Sequence, residues 1–157
     1  AYATAAQPTS SRAAAAMAAT SRNRGLARFA GIHTLYPLEG AVRFSDVDPS
    51  AADAPYLAWA ADSGIVTGYG DGTFRPDKTL TREQMAVMLA RYYIRSGVTV
   101  QGSLDFTDAA KISAWAADGA AMCAGLGLVQ GDARGRFLPQ SRLTRAQIAT
   151  ILVRMAG

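Results

Sequence analysis

The sequence predicts a mainly α-helical protein built from repeated helix–glycine loop–helix units. Three observations predict this class: a motif that recurs at a fixed spacing, apolar side chains at helical spacing, and two helix-start signals of one type. The chain has 157 residues, and 50% of them are hydrophobic. This length allows one domain, or a few small repeats that share a core.

Residues 64–84 and 127–147 are two copies of one motif. The first copy reads GIVTGYGDGTFRPDKTLTREQ and the second reads GLVQGDARGRFLPQSRLTRAQ, at a constant offset of 63 residues (127 − 64). Upstream of the motif, Phe44 and Asp46 match Phe106 and Asp108 after one inserted residue. So many matches at one offset indicate a duplication.

Each copy supplies two predicted helices, one on either side of its glycine loop. The first helix is predicted at about residues 52–63 and its counterpart at about 113–125, where apolar side chains recur every three or four residues. The second helix is predicted to run from Thr81 to about Arg95, and its counterpart over 144–155. The pattern therefore predicts two repeats, which we place at 44–105 and 106–157.

The sequences TREQ and TRAQ mark the start of each second helix. Thr81 and Thr144 are predicted N-caps of a capping box, in which a glutamine three residues on bonds back to the threonine N–H. Arg82 and Arg145 then occupy the first helical position, where the helix dipole disfavours a cation. Because both copies keep this unfavourable residue, we interpret the arginines as functional; a solvated charge or a salt bridge to a nearby aspartate is the alternative.

The glycine loop predicts a tight turn with positive φ at one or two positions. A short hairpin or a plain connector between two helices would satisfy the same pattern. Phe74 and Phe137 are predicted to fill the core. The loop lacks the Gly-Lys-Ser/Thr of a phosphate loop and the acidic ladder of a calcium loop.

Composition excludes several kinds of site. The single cysteine, Cys123, and the single histidine, His33, provide no disulfide, no cysteine-cluster zinc site and no evident Ser-His-Asp constellation. Cys123 is predicted to be a small core residue. We therefore predict no cofactor and no enzymatic activity. No apolar run approaches the ~20 residues that span a bilayer, so no membrane insertion is predicted.

The net charge of +4 belongs to the N-terminal segment. Residues 1–43 carry five arginines and one glutamate, whereas residues 44–157 carry 11 basic and 11 acidic side chains. The connection between the predicted helices is about 17 residues, far longer than the 3–4 of a helix-turn-helix motif. A neutral body and a long connection predict no nucleic-acid binding.

The ordered motifs resemble the S-layer homology (SLH) family. Phe-x-Asp-Val, an aromatic first helix, Gly-Ile-Val-x-Gly, Asp-Gly-x-Phe-x-Pro and Leu-Thr-Arg carry the resemblance, over about residues 44–155. The resemblance implies three repeats packed as a pseudo-threefold helical bundle. It further implies a secreted, non-catalytic module that anchors an unseen parent surface protein or enzyme in the bacterial cell wall or S-layer. The implied partner is secondary cell-wall polysaccharide, an anionic and often pyruvylated glycan.

The resemblance places the ligand in grooves beside the tetrad arginine. A guanidinium can hold the carboxylate of a pyruvate ketal through two hydrogen bonds, and a helix N-terminus adds N–H groups. The implied ligand-binding residues are Arg82, Arg145, Gly68, Gly70, Asp71, Gly72, Gly131 and Asp132. Both tetrads end in glutamine where the family usually has glutamate, and the loops GYGDGTF and GDARGRF differ. The two grooves are therefore expected not to be equivalent.

Residues 1–43 are expected to be a degenerate third repeat, or else an alanine-rich linker. The stretch SSRAAAAMAATSR resembles a second helix with Ser11 as its N-cap and Arg12 as a third arginine, so Arg12 joins the candidate ligand-binding residues. The chain begins with Ala1, so we expect a processed or excised piece of a longer protein. The alternative function is a helical-repeat module for protein–protein contacts or self-assembly of a surface protein.

Overall fold

The structure, a computed structural model, describes residues 41–156, and for Ala156 the backbone alone. The predictions for Ser11, Arg12 and His33 lie outside these residues. The described part contains four α-helices and no strand, which confirms the mainly α-helical class. Over the same residues, no helix combines the length and the hydropathy needed to cross a bilayer.

The described residues form two compact units. The first covers residues up to Leu80 and holds one helix, α1 (Ala54–Asp62), together with the first glycine loop. The second covers Thr81–Met155 and holds the other three helices: α2 (Arg82–Arg95), α3 (Ala117–Gly125) and α4 (Arg145–Ala156). The second helix of the first copy thus belongs to the same unit as both helices of the second copy.

The second helix of each copy begins where the capping boxes predict. Thr81 Oγ accepts from the Gln84 N–H at 3.3 Å, and the Gln84 side chain accepts from the Thr81 N–H at 3.0 Å. Thr144 and Gln147 repeat this arrangement at 3.2 and 3.0 Å. Arg82 and Arg145 are the first residues of their helices, as predicted.

The first helices follow the prediction less closely. In the first copy, α1 lies within the predicted segment. In the second copy the predicted start near Ser113 is wrong, because two 3-10 turns, Ala109–Lys111 and Ala114–Ala116, precede α3. Ala116, the N-cap of α3, makes no side-chain capping bond, so no local signal fixes the start of this helix.

The core of the Thr81–Met155 unit includes the close packing of α2 against α3. A Cβ added to Gly119 would lie 3.0 Å from Val87 Cα, so the glycine permits this approach. The buried Cys123 thiol donates to Ala86 O at 3.2 Å, and burial raises the pKa of Cys123 to about 12. The predicted core role of Cys123 is confirmed, and the thiol is protonated at neutral pH.

Each glycine loop forms a tight turn that is closed by a backbone hydrogen bond. The Tyr69 N–H donates to Thr73 O at 2.8 Å, and the matching Asp132 N–H donates to Arg136 O at 2.9 Å. Phe74 and Phe137, predicted core residues, are fully buried just after these turns. The turns bring each loop back toward the start of its own repeat.

An aspartate from the start of each repeat holds the strained residue that follows the buried phenylalanine. Arg75 and Leu138 have φ of 60° and 59°, in the left-handed region that is unfavourable for residues with a Cβ. Asp108 accepts from the N–H groups of Phe137 and Leu138 at 2.6 and 2.9 Å. Asp46 makes the same two bonds in the first copy, each at 2.7 Å. The repeated Phe-x-Asp motif is therefore a structural device.

Candidate functional site

The Arg82 side chain reaches from the start of α2 into the loop of the second copy. Its Nε donates to Phe137 O at 2.6 Å and its Nη2 to Gln130 O at 3.1 Å. These partners are backbone carbonyls, so neither a solvated charge nor a salt bridge describes this residue. A guanidinium has five N–H donors, so three on Arg82 have no partner among residues 41–156 and are available to solvent or a ligand.

The backbone N–H groups at the start of α2 are already hydrogen-bonded. The Arg82 N–H donates to Ser141 O at 3.0 Å and the Glu83 N–H donates to Pro139 O at 3.1 Å. The third N–H of the helix is bonded within the capping box. The expectation that this helix end offers free N–H groups to an anion is therefore wrong for α2, because the second loop occupies them.

The start of α4 has the same capping box but an open environment. Arg145 and Ala146 are exposed, and within residues 41–156 neither their N–H groups nor the Arg145 guanidinium has a hydrogen-bonding partner. This helix end keeps unsatisfied donors and the positive end of the helix dipole. Although their sequences match, the two candidate arginines thus have different surroundings.

The loop aspartates that were predicted to contact a ligand are bound within their own loops. Asp71 accepts from Thr73 N at 3.0 Å, Thr73 Oγ1 at 2.6 Å and Arg75 Nη2 at 2.8 Å. Asp132 accepts from two backbone N–H groups at 2.9 Å and from Arg136 Nε and Nη2 at 2.9 and 2.7 Å. These hydrogen bonds lower the pKa of each carboxyl group to about 2.

These low pKa values predict that Asp132 stabilises the fold except in strong acid. A folded pKa of about 2 lies below the ~3.9 of an unfolded aspartate, so the contribution is complete above that value and is lost as the pH falls through 2. Asp132→Asn should therefore lower the unfolding midpoint at pH 7 and have a shrinking effect toward pH 2. Thermal unfolding followed by circular dichroism at pH 7, 4 and 2 measures this difference. Asp118→Asn, at an exposed position, is the control; an Asp132→Asn effect that is equal at all three pH values would contradict the prediction.

Of the four predicted loop glycines, one is buried and three are exposed. Gly68 is buried with φ +66°, and a Cβ there would lie 2.3 Å from Phe44 Cε1. Packing accounts for this glycine without a ligand. Gly70, Gly72 and Gly131 are exposed, although Gly72 has φ +78° and a Cβ at Gly131 would lie 3.0 Å from Gly135 C. For these three, close approach of a sugar remains a prediction.

The sequence prediction missed two residues that lie beside Arg82. Arg154, in the last turn of α4, donates through Nη1 to Leu128 O and through Nη2 to Gln130 Oε1, both at 3.1 Å. Gln130 therefore contacts two guanidinium groups, because its backbone oxygen accepts from Arg82. The signal that could have found Arg154 is the repeat itself, since Arg91 stands at the matching position of the first copy.

A third missed residue is Glu83, next to Arg82 in the tetrad. Its side chain is buried and accepts from Ser113 N at 3.0 Å, Ser113 Oγ at 3.1 Å and Gln140 Nε2 at 2.6 Å. The second copy has Ala146 at this place. Glu83 thus links the segments that contain Ser113 and Gln140 to the start of α2. These bonds hold the residues around Arg82 in position.

The charges around Arg82 are mixed. Burial is the main cause that lowers the Arg82 pKa; the nearby Asp108 and Asp132 oppose this effect, and Arg154 adds to it.

The net charge of residues 44–157 is zero, but the charged side chains are unevenly distributed along this part of the chain. Residues 81–155 carry nine basic and five acidic side chains (9 − 5 = +4), and residues 44–80 carry two basic and six acidic ones (2 − 6 = −4). The unit that holds both candidate arginines is the cationic one.

Comparison with known proteins decides the family. The model of the S-layer homology domain matches residues 43–86 and 105–149, more than half of the chain. The chain belongs to the S-layer homology family. The two matched segments correspond to the two copies of the motif found in the sequence.

Similar proteins include surface proteins and enzymes. The chain is 30% identical to "Cell surface glycoprotein 1" of Acetivibrio thermocellus over 68% of its own length and 5% of that protein. It is 31% identical to "S-layer protein EA1" of Bacillus anthracis over 66% of the chain and 12% of that protein. It is 34% identical to "Amylopullulanase" of Thermoanaerobacterium thermosulfurigenes over 69% of the chain and 6% of that enzyme.

The chain therefore corresponds to a small part of these relatives, between 5% and 12% of their length. The SLH region is a non-catalytic anchoring module, and the match covers 6% of the relative named "Amylopullulanase" and 11% of the one named "Endoglucanase". The predicted location at the cell wall and cell surface is confirmed by the family and by these surface-layer relatives.

Proposed function

We propose that this SLH module anchors its parent protein by binding an anionic, pyruvylated secondary cell-wall polysaccharide. The proposal rests on the surroundings of Arg145. Its guanidinium is exposed at the start of α4, beside unsatisfied N–H groups and with no protein partner among the described residues. A pyruvate ketal presents a carboxylate, which a guanidinium binds through two parallel charge-assisted hydrogen bonds. The open helix end adds a field that favours an anion.

Arg82 is the second proposed ligand contact, with three of its five donors unused by the residues that the structure describes. Its other donors bind Phe137 O and Gln130 O, so Arg82 also links α2 to the second loop. Loss of Arg82 should consequently affect both the fold and the binding. Arg145 provides the cleaner test, because its side chain supports no contact in the described part of the chain.

The charge of the Thr81–Met155 unit supports the same ligand class. Its net +4 attracts a polyanion and raises the rate of encounter at low ionic strength. This long-range attraction is independent of the bidentate contact. Binding should accordingly weaken with added salt, through screening of the exposed charges.

Arg145→Ala should weaken binding to purified cell-wall polymer at least about tenfold, because even one of the two charge-assisted hydrogen bonds contributes about 1.5 kcal/mol. The thermal unfolding midpoint should remain unchanged, since the side chain is exposed. Co-sedimentation with polymer over a range of protein concentrations measures the affinity. Arg142→Ala is the charge-matched control, at an exposed arginine outside the helix start. Arg145→Lys should lie between the wild type and Arg145→Ala, because lysine keeps the charge and loses the bidentate geometry.

Two results would contradict the proposal. Undiminished binding by Arg82→Ala, by Arg145→Ala and by the double variant would exclude the proposed contacts. Equal affinity for intact polymer and for polymer stripped of its pyruvate ketal would exclude the carboxylate–arginine mechanism.

Self-assembly is the second candidate function, and the exposed face of α4 favours it. Val153 is 72% exposed, whereas Ala90, its counterpart in α2, is fully buried. Likewise Thr150 is exposed, whereas its counterpart Val87 lies against α3. A second copy of the chain would cover this face. A molar mass that rises with protein concentration in the absence of polymer would favour self-assembly over anchoring.

A further inference from the structure

We propose that Arg82 and Arg154, held on the two ends of Gln130, form a paired-guanidinium subsite for an oxyanion of the wall polymer. The proposal rests on the proposed function and extends it to Arg154 and Gln130, which lie outside the Thr-Arg-x-Gln tetrad. The shared ligand chemistry is a carboxylate or phosphate oxygen.

The geometry brings both cations to one residue. Arg82 Nη2 donates to the backbone oxygen of Gln130, and Arg154 Nη2 donates to its side-chain Oε1, each at 3.1 Å. Second bonds orient the groups: Arg82 Nε donates to Phe137 O, and Arg154 Nη1 donates to Leu128 O. The guanidinium planes are therefore fixed by protein carbonyls before any ligand binds.

Neither guanidinium forms an ion pair in the part of the chain that the structure describes, and the nearby Asp108 and Asp132 act on Arg82 only at longer range. No carboxylate lies within 4.0 Å of either guanidinium there. The oxygens of Asp132 are occupied by Arg136 and two backbone N–H groups, and those of Asp108 bind the N–H groups of Phe137 and Leu138. Among residues 41–156 each guanidinium uses two of its five donors, so three on each have no partner there and can bind an oxyanion.

Gln130 suits a site that must stay open for an anion. A glutamine is neutral, so it binds the Arg82 and Arg154 guanidinium groups without neutralising their positive charge. Gln130 is exposed, and its Oε1 bond to Arg154 can exchange for a ligand oxygen. The first copy has Thr67 at the matching position, which lacks the planar amide. The subsite therefore belongs to the second copy.

Gln130→Glu is the decisive variant, because it builds a carboxylate of the same shape between the guanidinium groups. The fixed carboxylate should raise the thermal unfolding midpoint and weaken polymer binding about tenfold, by occupying the donors that the ligand would use. Gln101→Glu makes the same chemical change at another exposed position and controls for net charge. Polymer binding by Gln130→Glu that equals that of Gln101→Glu would overturn the subsite.

Arg154→Ala tests the second cation. It should weaken binding of the polymer and of two probe anions, pyruvate and inorganic phosphate, each titrated into the full chain and followed by NMR. Arg154→Lys should restore part of the loss. Arg134→Ala, at an exposed arginine of the same loop, is the charge-matched control. Tighter binding of pyruvate than of phosphate would identify a carboxylate ligand, and the reverse order a phosphate ligand.

The failure of this subsite differs from the failure of the proposed function. If Arg145→Ala loses polymer binding while Arg154→Ala and Gln130→Glu bind like their controls, the subsite is wrong and anchoring through Arg145 stands. If no variant changes polymer binding, both proposals are wrong. If Arg154→Ala and Gln130→Glu lose binding while Arg145→Ala retains it, the subsite stands and Arg145 is not a ligand contact.

Discussion

Asp108→Ala is expected to lower the free energy of unfolding of the Thr81–Met155 unit by about 3 kcal/mol, at about 1.5 kcal/mol for each hydrogen bond to its carboxylate. The substitution removes the acceptor of the Phe137 and Leu138 N–H groups at a position where Asp108 is only 8% exposed. It also removes the contacts that hold Leu138 at φ 59°. Urea unfolding followed by Trp115 fluorescence in a Trp59→Phe background reports this unit.

Asp46→Ala is the matched comparison, because Asp46 makes the same two bonds while exposed to solvent. Water can satisfy the freed N–H groups more readily there, so its loss should be smaller. Asp108→Asn keeps one carbonyl acceptor and should lie between the wild type and Asp108→Ala. A loss within about 0.5 kcal/mol for Asp108→Ala, the range of an ordinary surface substitution, would show that Phe-x-Asp does not stabilise the loop.

The sequence predicted best the elements that local chemistry determines. The capping boxes placed the starts of α2 and α4 correctly, because the threonine and glutamine that form each box lie within one helical turn. The repeat offset then transferred each observation from one copy to the other. Phe74 and Phe137 were predicted as core residues for the same reason, and both are fully buried.

Elements without a local signal were predicted less well. The segment before α3 is rich in alanine and lacks a capping side chain, so apolar spacing alone could not separate 3-10 turns from an α-helix.

The two copies of the motif gave no sign that Arg82 and Arg145 have different surroundings. Arg82 meets carbonyls that lie 48 and 55 residues away, whereas Arg145 meets none in residues 41–156. Such tertiary contacts cannot be read from a motif that is the same in both copies.

The candidate site was predicted in part. The unfavourable position of a cation at a helix start identified Arg82 and Arg145 from the sequence alone. Gln130 gave no comparable signal, because an exposed loop glutamine is ordinary until two guanidinium groups converge on it. Asp71 and Asp132 were predicted as ligand contacts because they stand in the loop, but each binds the backbone and an arginine of its own turn. Their role toward a ligand remains a prediction.

Glu83→Ala is expected to have the largest effect on stability, a loss of about 4 kcal/mol, since three hydrogen bonds to a buried carboxylate disappear together. Glu83 is 2% exposed and accepts from Ser113 N, Ser113 Oγ and Gln140 Nε2, which come from two separate loops. Alanine leaves the half-buried Ser113 N–H and hydroxyl without their acceptor. Chemical unfolding of the full chain, with the same Trp115 fluorescence probe, measures the change.

Ala146→Glu provides the matched control, because it places the same side chain at the equivalent position of α4. Ala146 is exposed, and a carboxylate in the first turn should change stability by no more than about 0.5 kcal/mol, in the stabilising direction of the helix dipole. Glu83→Gln should cost about half of the Glu83→Ala loss, because an amide keeps one acceptor oxygen but directs an NH₂ group toward other donors. A small loss for Glu83→Ala would mean that α2 packing alone positions the second loop. In that case the orientation of Arg82 would depend on its own bonds to Phe137 and Gln130, and Arg82→Ala would become the more destabilising change.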